Sequence, residues 1–378
     1  MIAYNLQPIA VRGLTGIGNY TAEVASRLIG ESDELHAFDF MGRNGVQSIL
    51  EENLHKNLSG NDLHIVRSLP LSVYIRMGKL GKVMPYHALT HSKADMTVFF
   101  NYLTPGGLKG KNMITIYDLV SERFPETMDA RNRRLLRGHL QDSANRAATV
   151  LTISEFSKRE IMDVLHVPEE NIFVGYCGVD TDFYTPGAGF TTDINKKHNL
   201  ERYILYVGTL EPRKNIKCLV ESFSMIADKF PDVKLVLAGG LGWQPDDTLE
   251  AIDCSFAKDR IIRTGYVSNE EKRDLLRNAE FFVFPSIYEG FGMPVTEAMA
   301  CGTDCIVSRS SSLVEIGEGY VTLIDPQDTD LWAQAMEAKL QEVITDDRKV
   351  ALRAHATHYN WDNAAEACKR AISHAVNN

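Results

Sequence analysis

The sequence predicts an α/β protein built of two doubly wound domains that face a cleft. Three observations carry this. Short apolar runs alternate with longer amphipathic ones along the chain, the pattern of a parallel sheet covered by helices on both faces. At 378 residues the chain is too long for one small core and fits two domains of ordinary size. The stretch Asp180–Leu200, rich in Gly, Pro, Thr and Asp and without periodicity, interrupts the alternation, which then starts again.

In the first half, strands are expected near Ile2–Leu6, Leu35–Phe40, Leu63–Val66, Thr97–Tyr102, Met113–Tyr117, Thr149–Ile153 and Ile172–Tyr176. Ile17–Leu28 and Ser157–Leu165 read as helices between them. The second half gives strands at Tyr203–Val207, Lys234–Ala238, Arg260–Thr264, Phe281–Phe284, Asp304–Val307 and Val321–Ile324. This places one domain over 1–180, a linker over 181–200 and a second domain over 201–358. Trp361–Val376 is a helix with no strand after it, free to pack on either domain. Ligands of open α/β sheets bind beyond the carboxyl ends of the strands, so residues at strand exits are the candidates for a site.

Composition narrows the chemistry. A net charge of -10 and a pI near 5.6 argue against nucleic acid as the main partner, because a phosphate backbone calls for excess Lys and Arg. Cys177, Cys218, Cys254, Cys301, Cys305 and Cys368 are scattered, with only Cys301 and Cys305 close, and suggest neither a zinc cluster nor a disulfide scaffold. Reduced thiols in a cytoplasmic protein are the expectation. The N-terminal MIAYNLQPIAVRG does not read as a signal peptide, and no uncharged apolar run is long enough to span a bilayer.

Several strand exits carry chemistry. In YILYVGTLEPRKN a strand leads to Gly208 and Thr209, then to Glu211-Pro212-Arg213-Lys214-Asn215 before a helix. A glycine there lets a ligand approach the backbone, and Arg213 with Lys214 can neutralise a diphosphate. Cations at a helix N-terminus stand against the dipole, which favours an anion site over a solvated surface. Gly239 and Gly240 repeat the arrangement in VKLVLAGGLGW, where a plain Gly-rich turn is the rival account. Gly265-Tyr266-Val267 precedes Ser268-x-x-Glu271, a capping box, and lies where a base could stack or bond main chain.

The most specific stretch is FFVFPSIYEGFGMPVTEAMACG, residues 281–302. Glu297 lies eight positions beyond Glu289, but Gly290, Gly292 and Pro294 rule out one continuous helix between them. Pro294 suits the first position of a new helix, so Gly292, Met293 and the first turn would offer backbone N–H groups as an anion seat. Glu297 would then sit in the first turn, where dipole stabilisation alone could explain it. Glu289, in the loop before the helix, has no such explanation.

In the first half, Gly13, Gly16 and Gly18 precede the first amphipathic helix without the dinucleotide-binding spacing, and suit a loop closing over a ligand. Tyr117 and Asp118 lie at a strand exit, with turn formation the rival for Asp118. Arg131–Leu140 is basic and partly apolar: a solvated helix face, or a peripheral contact with the inner face of a membrane.

Taken together, VGTLEPRKN, GYVSNEE, FPSIYEGFGMPVTEAMACG and SSLVEIG, with TISEFSKREI, GVD and GIGNYTAEVA in the first half, resemble glycosyltransferase family 4. These are retaining nucleotide-sugar transferases of the GT-B fold, two Rossmann-like domains. The acidic pair spaced as Glu289 and Glu297 is the most diagnostic element. The resemblance implies a donor held by the second domain: Glu297 on the ribose, Glu289 on the transferred sugar, Arg213 and Lys214 on the diphosphate. Gly292 and Met293 would meet sugar or phosphate, Val267 the base, and Gly208, Thr209, Gly239, Gly16 and Gly18 would line the donor path. Asp118 and Tyr117 would contact the sugar from the first domain, which would also receive the acceptor and the terminal helix Trp361–Asn378. No metal or other cofactor is implied. The chain departs from the family in Thr209, where Arg is usual, and in Tyr117, where His is usual.

GTLEPRKN and TIYDL…RFPE look most like mannosyltransferases using GDP-mannose, with a glycan or polyprenyl-linked acceptor in bacterial-type surface polysaccharide (O-antigen) synthesis. A UDP-sugar donor is the alternative. Nucleotide-sugar epimerases of the same architecture, against which the paired glutamates argue, and a two-domain sugar-binding protein are the readings from other classes.

Overall fold

The computed structural model describes residues 1–42, 45–78, 84–185, 187 and 192–378. Each apolar run named above becomes a parallel strand. β1 (Ile2–Asn5), β2 (Glu34–Phe38), β3 (Asp62–Val66), β4 (Met96–Phe99), β5 (Lys111–Thr115), β6 (Thr149–Thr152) and β7 (Ile172–Val174) form a seven-stranded sheet, in the order β3-β2-β1-β4-β5-β6-β7. β8 (Arg202–Val207), β9 (Val233–Ala238), β10 (Ile261–Gly265), β11 (Phe281–Phe284), β12 (Cys305–Ser308) and β13 (Thr322–Ile324) form a second, ordered β10-β9-β8-β11-β12-β13. β2, β4, β6, β11 and β12 are buried along their whole length, which is why they read as continuous apolar runs rather than alternating ones. In the first sheet the expected strands overrun the ladder at Leu6, Phe100, Tyr117 and Ile153, because the residues just past each strand are buried too.

The chain divides into two units, Met1–Arg123 with Ala130–Gly178 and Trp361–Asn378, and Phe124–Asp129 with Val179–Asn360. Both are doubly wound Rossmann-like folds, and in each the strand order reverses beside the first strand of its sheet, at β1/β4 and β8/β11.

In the first unit, the helix Gly16–Leu28 is capped by the Thr15 hydroxyl, which accepts the Gly18 N–H at 3.5 Å. The terminal helix Trp361–Asn377 packs on it: the Trp361 and Tyr20 rings lie 5.9 Å apart, and the Tyr20 hydroxyl donates to Gly175 O. A Cβ on Gly178 would come within 2.5 Å of the Trp361 nitrogen, so the chain's exit and its return meet there without room for a side chain.

The stretch read as a linker corrects that expectation. Asp180 caps a short helix, Thr181–Tyr184, by accepting the Phe183 N–H at 3.0 Å, and Tyr184, Ile194 and Leu200 are buried in the second unit. Arg277 donates to the carbonyls of Phe183 and Tyr184 at 3.1 and 3.2 Å. The Gly and Pro content drew attention from these three apolar anchors; residues 186 and 188–191 of the stretch lie outside the described residues. Cys254 is exposed, the other five cysteines are buried, and all six are free. Among the described residues no helix is long and apolar enough to cross a membrane.

Candidate functional site

The β8/β11 switch point gathers the second unit's candidates. Beyond β8, Pro212–Lys214 forms one 3-10 turn closed by Asn215 in the left-handed region at φ 57°. The Asn215 amide donates to Pro285 O at 3.2 Å and to Pro326 O at 2.7 Å, tying the turn to the loops after β11 and β13. From this turn Lys214 Nζ reaches Glu289 Oε1 at 2.5 Å, and Arg213 Nη1 reaches Glu289 Oε2 at 3.0 Å. Arg213 also donates to Tyr288 O at 2.5 Å and to Glu211 Oε1 at 2.7 Å. The two cations are therefore not solvated residues at a helix start, since their side chains are only 17% and 13% exposed.

Glu289 is 8% exposed. Burial alone would raise its pKa, but the adjacent Lys214 and Arg213 charges and the Lys214 hydrogen bond outweigh it and hold the carboxyl at about 2. Burial and the neighbouring Arg213 push the Lys214 ammonium the other way, below its ordinary value.

The loop carrying Glu289 is fixed by three consecutive serines. Ser311 Oγ accepts the Glu289 N–H at 2.9 Å, the Ser312 hydroxyl donates to Glu289 O at 2.9 Å and Phe291 O at 2.8 Å, and Ser310 donates to Ile287 O at 2.8 Å. Ser311 does this at φ 49°, ψ -140°, a region that L residues avoid.

After the loop comes the helix Met293–Cys301, with Gly292 as N-cap at φ 115° and no side-chain cap. Two expectations shift here. Pro294 is the second helical residue rather than the first, because Gly292 takes the left-handed cap and Met293 already turns. Glu297 accordingly falls in the second turn, beyond the reach of first-turn dipole stabilisation. Its carboxylate, 6% exposed, is met by Lys272 Nζ at 2.6 Å and by the Tyr184 hydroxyl. Burial and the Glu297 charge raise the Tyr184 pKa well above the usual phenol value, so Tyr184 remains a donor.

The glycines at the exits of β8, β9 and β10 lie side by side. Gly208 N donates to Ala238 O and Gly239 N to Gly265 O, both at 2.9 Å. Gly239 holds φ 152°, and a Cβ there would fall 2.0 Å from Gly208 O, so only glycine fits. Gly240 and Gly265 have nothing within 4 Å of a would-be Cβ. Thr209 and Tyr266 are exposed, and Val267 and Met293 half-buried.

The first unit's candidates fare differently. The Tyr117 ring is in the core, edge-on to Tyr20 at 5.5 Å, and its hydroxyl meets Phe100 O at 3.3 Å and Thr21 Oγ1 at 3.4 Å. Burial raises its pKa well above the ordinary value. The expectation that Tyr117 offers its hydroxyl to a sugar is corrected: position 117 lies two residues past β5, where the side chain turns inward. Asp118, half-buried, accepts the Val120 N–H at 3.2 Å, the turn-forming contact. Gly16 and Gly18 lie inside the first helical turn rather than before it: Gly16 is exposed, whereas Gly18 is packed, a Cβ there meeting Leu14 at 3.0 Å. Arg131, Arg134 and Arg137 are exposed on the helix Ala130–Arg146, whose Leu135 and Leu136 pack on the core.

Tyr184, Lys272, Ser311 and Ser312 were not anticipated. The signal was present only as the two serines within SSLVEIG and as the one aromatic residue of the DFYTPG stretch that becomes buried; their contacts bridge positions far apart in sequence.

Residues 190–366 match the family model of the glycosyl transferases group 1. The chain is 29% identical over 367 residues to the O-antigen chain mannosyltransferase B of Escherichia coli, covering 93% of each. It is 27% identical over 252 residues to the O-antigen chain mannosyltransferase RfbU of Salmonella typhimurium, covering 66% of each. Among solved structures, Anabaena HepE in complex with UDP and glucose superposes with a TM-score of 0.71 at 16% identity, over 98% of this chain and 99% of that one. At that identity the likeness speaks for the fold alone. Through residues 190–366 the chain is similar to the glycosyl transferases group 1, and along 93% of its length to an O-antigen mannosyltransferase, which supports a mannosyltransferase-like glycosyltransferase of GT-B fold.

Proposed function

We propose that the protein transfers mannose from GDP-mannose, with retention of anomeric configuration, to a glycan or polyprenyl-linked acceptor in surface polysaccharide synthesis. The observation that carries this is Glu289, an ionised carboxylate seated between Lys214 and Arg213 at the β8/β11 switch point, in a chain similar along 93% of its length to an O-antigen mannosyltransferase.

The residues divide the work by charge. Glu289 stays anionic and accepts hydrogen bonds from sugar hydroxyls. As the bond from the anomeric carbon to the diphosphate breaks, its electron pair leaves on the diphosphate, where Lys214, Arg213 and the uncapped helix start at Gly292–Met293 meet the charge. The acceptor hydroxyl forms the new bond and gives up its proton to the departing diphosphate. Glu297 holds the ribose, Val267 flanks the base, and the glycines at 208 and 239 let the nucleotide lie against the backbone. Asp118 and the start of the Gly16–Leu28 helix are the substrate-binding positions of the first unit. None of these steps calls for a metal ion, and the chemistry takes place at the inner face of the membrane, with the Arg131–Leu140 face as the lipid contact.

The test is a donor panel incubated with the purified protein and a lipid extract containing acceptors, read as nucleotide release, with the product's anomeric configuration read by NMR. GDP release from GDP-mannose into an α-configured product supports the reading. UDP release from a UDP-sugar replaces the donor, and no release from any nucleotide sugar overturns the enzyme reading.

A further inference from the structure

We propose that the outer edge of the first unit's sheet holds a transition-metal site, built from Glu34, His36 and His64 and suited to Zn²⁺. It goes beyond the transfer reaction and lies in a different unit from the donor loops.

The register of two strands creates it. β2 and the edge strand β3 run parallel with Glu34 opposite Asp62 and His36 opposite His64. Residues two apart on a strand share a face, so all four side chains project from the same side as a two-by-two block. The ligand atoms of Glu34, His36 and His64 all lie within 4.8 Å of one another. His36 Nε2 is 3.3 Å from Glu34 Oε2, and the two imidazoles stand edge to face at 5.5 Å. Two imidazoles and a carboxylate are a donor set that Zn²⁺ takes, with a fourth position for water or Asp62, whose side chain is 70% exposed.

Two features separate this cluster from an ordinary buried His–Glu pair. The first is His64 Nε2, a buried nitrogen with no hydrogen-bond partner although Asp62 Oδ2 is 3.2 Å away. Such an atom is uncommon unless something else meets it. The second is the support behind the ligands. Glu34 Oε1 accepts the Lys93 N–H at 2.9 Å and Oε2 the Ser92 hydroxyl at 2.5 Å, while His36 Nδ1 lies 3.1 Å from the Tyr86 hydroxyl. Metal-binding imidazoles are held in this way through their second nitrogen. With the ion bound, His36 holds its proton on Nδ1, facing the Tyr86 oxygen, and its Nε2 lone pair binds the ion. The ion would then pin the edge strand β3 to β2.

The experiment uses the full chain, stripped with chelator and titrated with Zn²⁺ by calorimetry, with Co²⁺ as a spectroscopic reporter. Expected are one equivalent of Zn²⁺, a rise in Tm, and visible d–d bands of a four- or five-coordinate Co²⁺ ion. His64→Ala and Glu34→Gln should lose the stoichiometric site. Ser92→Ala, which alters only the support, should weaken it by about 10–100-fold. No saturable one-to-one binding by the unmodified protein overturns the proposal, as does unchanged binding in Glu34→Gln and His64→Ala. If His64→Ala fails to fold, Glu34→Gln, which keeps shape and hydrogen-bonding capacity, decides alone. The Tm shift caused by GDP-mannose should be the same in Glu34→Gln as in the unmodified protein, so failure here and failure of the donor reading are separate results.

Discussion

The backbone N–H of Glu289 is held by the hydroxyl of Ser311, 2.9 Å away, from a serine kept at φ 49°. A backbone conformation that costs of order 1–3 kcal/mol is retained beside the carboxylate on which the proposed chemistry turns. Ser311→Gly relieves the strain but drops the hydrogen bond, whereas Ser311→Ala drops the bond and keeps the strain. Ser311→Gly should therefore be more stable than Ser311→Ala by about 1 kcal/mol, and both should lose turnover. Thermal unfolding of the pair, alongside GDP release, checks the ordering.

Removing the carboxylate leaves two buried cations facing each other. Glu289→Ala should cost about 3–5 kcal/mol of stability and about 100-fold or more in turnover, with GDP still bound. Calorimetry with GDP separates lost binding from lost chemistry; retained turnover would remove Glu289 from the mechanism.

The pH behaviour of that site has a definite sign. The carboxyl is depressed to about 2 in the folded chain from an ordinary 4.5. The stability it supplies is therefore complete above pH 4.5 and lost as pH falls toward 2. The stability gap between the unmodified protein and Glu289→Gln should be flat from about pH 8 to 5 and narrow below that range. Denaturant titrations at several pH values measure it.

Lys272→Met should act on Glu297 in the same way, stranding a buried carboxylate whose remaining named partner is the Tyr184 hydroxyl. A loss of about 3 kcal/mol is expected, with a raised KM for the donor if Glu297 holds ribose. Tyr184→Phe, which removes one neutral hydrogen bond, should cost only about 1 kcal/mol.

Two neighbouring glycines give a sharp contrast. Gly239→Ala puts a methyl group 2.0 Å from Gly208 O and should prevent correct closure of the β8 and β9 exits. Gly240→Ala meets nothing within 4 Å and should leave Tm nearly unchanged. Expression and thermal melts of both suffice.

What the sequence disclosed follows from the range of the forces involved. Strands such as Phe281–Phe284 are buried on both faces and announce themselves as unbroken apolar runs. The strand exits with their glycines and charges were legible because topology fixes where loops fall. Tyr117 was misplaced because the same exit can turn a side chain toward solvent or core, and only its contacts with Tyr20 and Phe100 decide. The serines at 310–312 were silent for a related reason. A hydroxyl has no periodicity, and its partner lies 22 residues away in the case of Ser311 and Glu289. Tyr184 hid within a stretch whose Gly and Pro spoke louder than its one aromatic anchor.

The chain leaves the first unit at Gly178 and re-enters it at Trp361, and Val179 N donates to Tyr359 O at 2.9 Å. Apart from Phe124–Asp129, the second unit is thus a cassette, 179–360, whose two ends are stitched together at one point. A gene encoding such a protein can exchange that segment with a relative's without moving either splice site in space. If donor choice resides there and acceptor choice in the remainder, new sugar–acceptor pairings can arise by recombination at two codons rather than by accumulated substitutions.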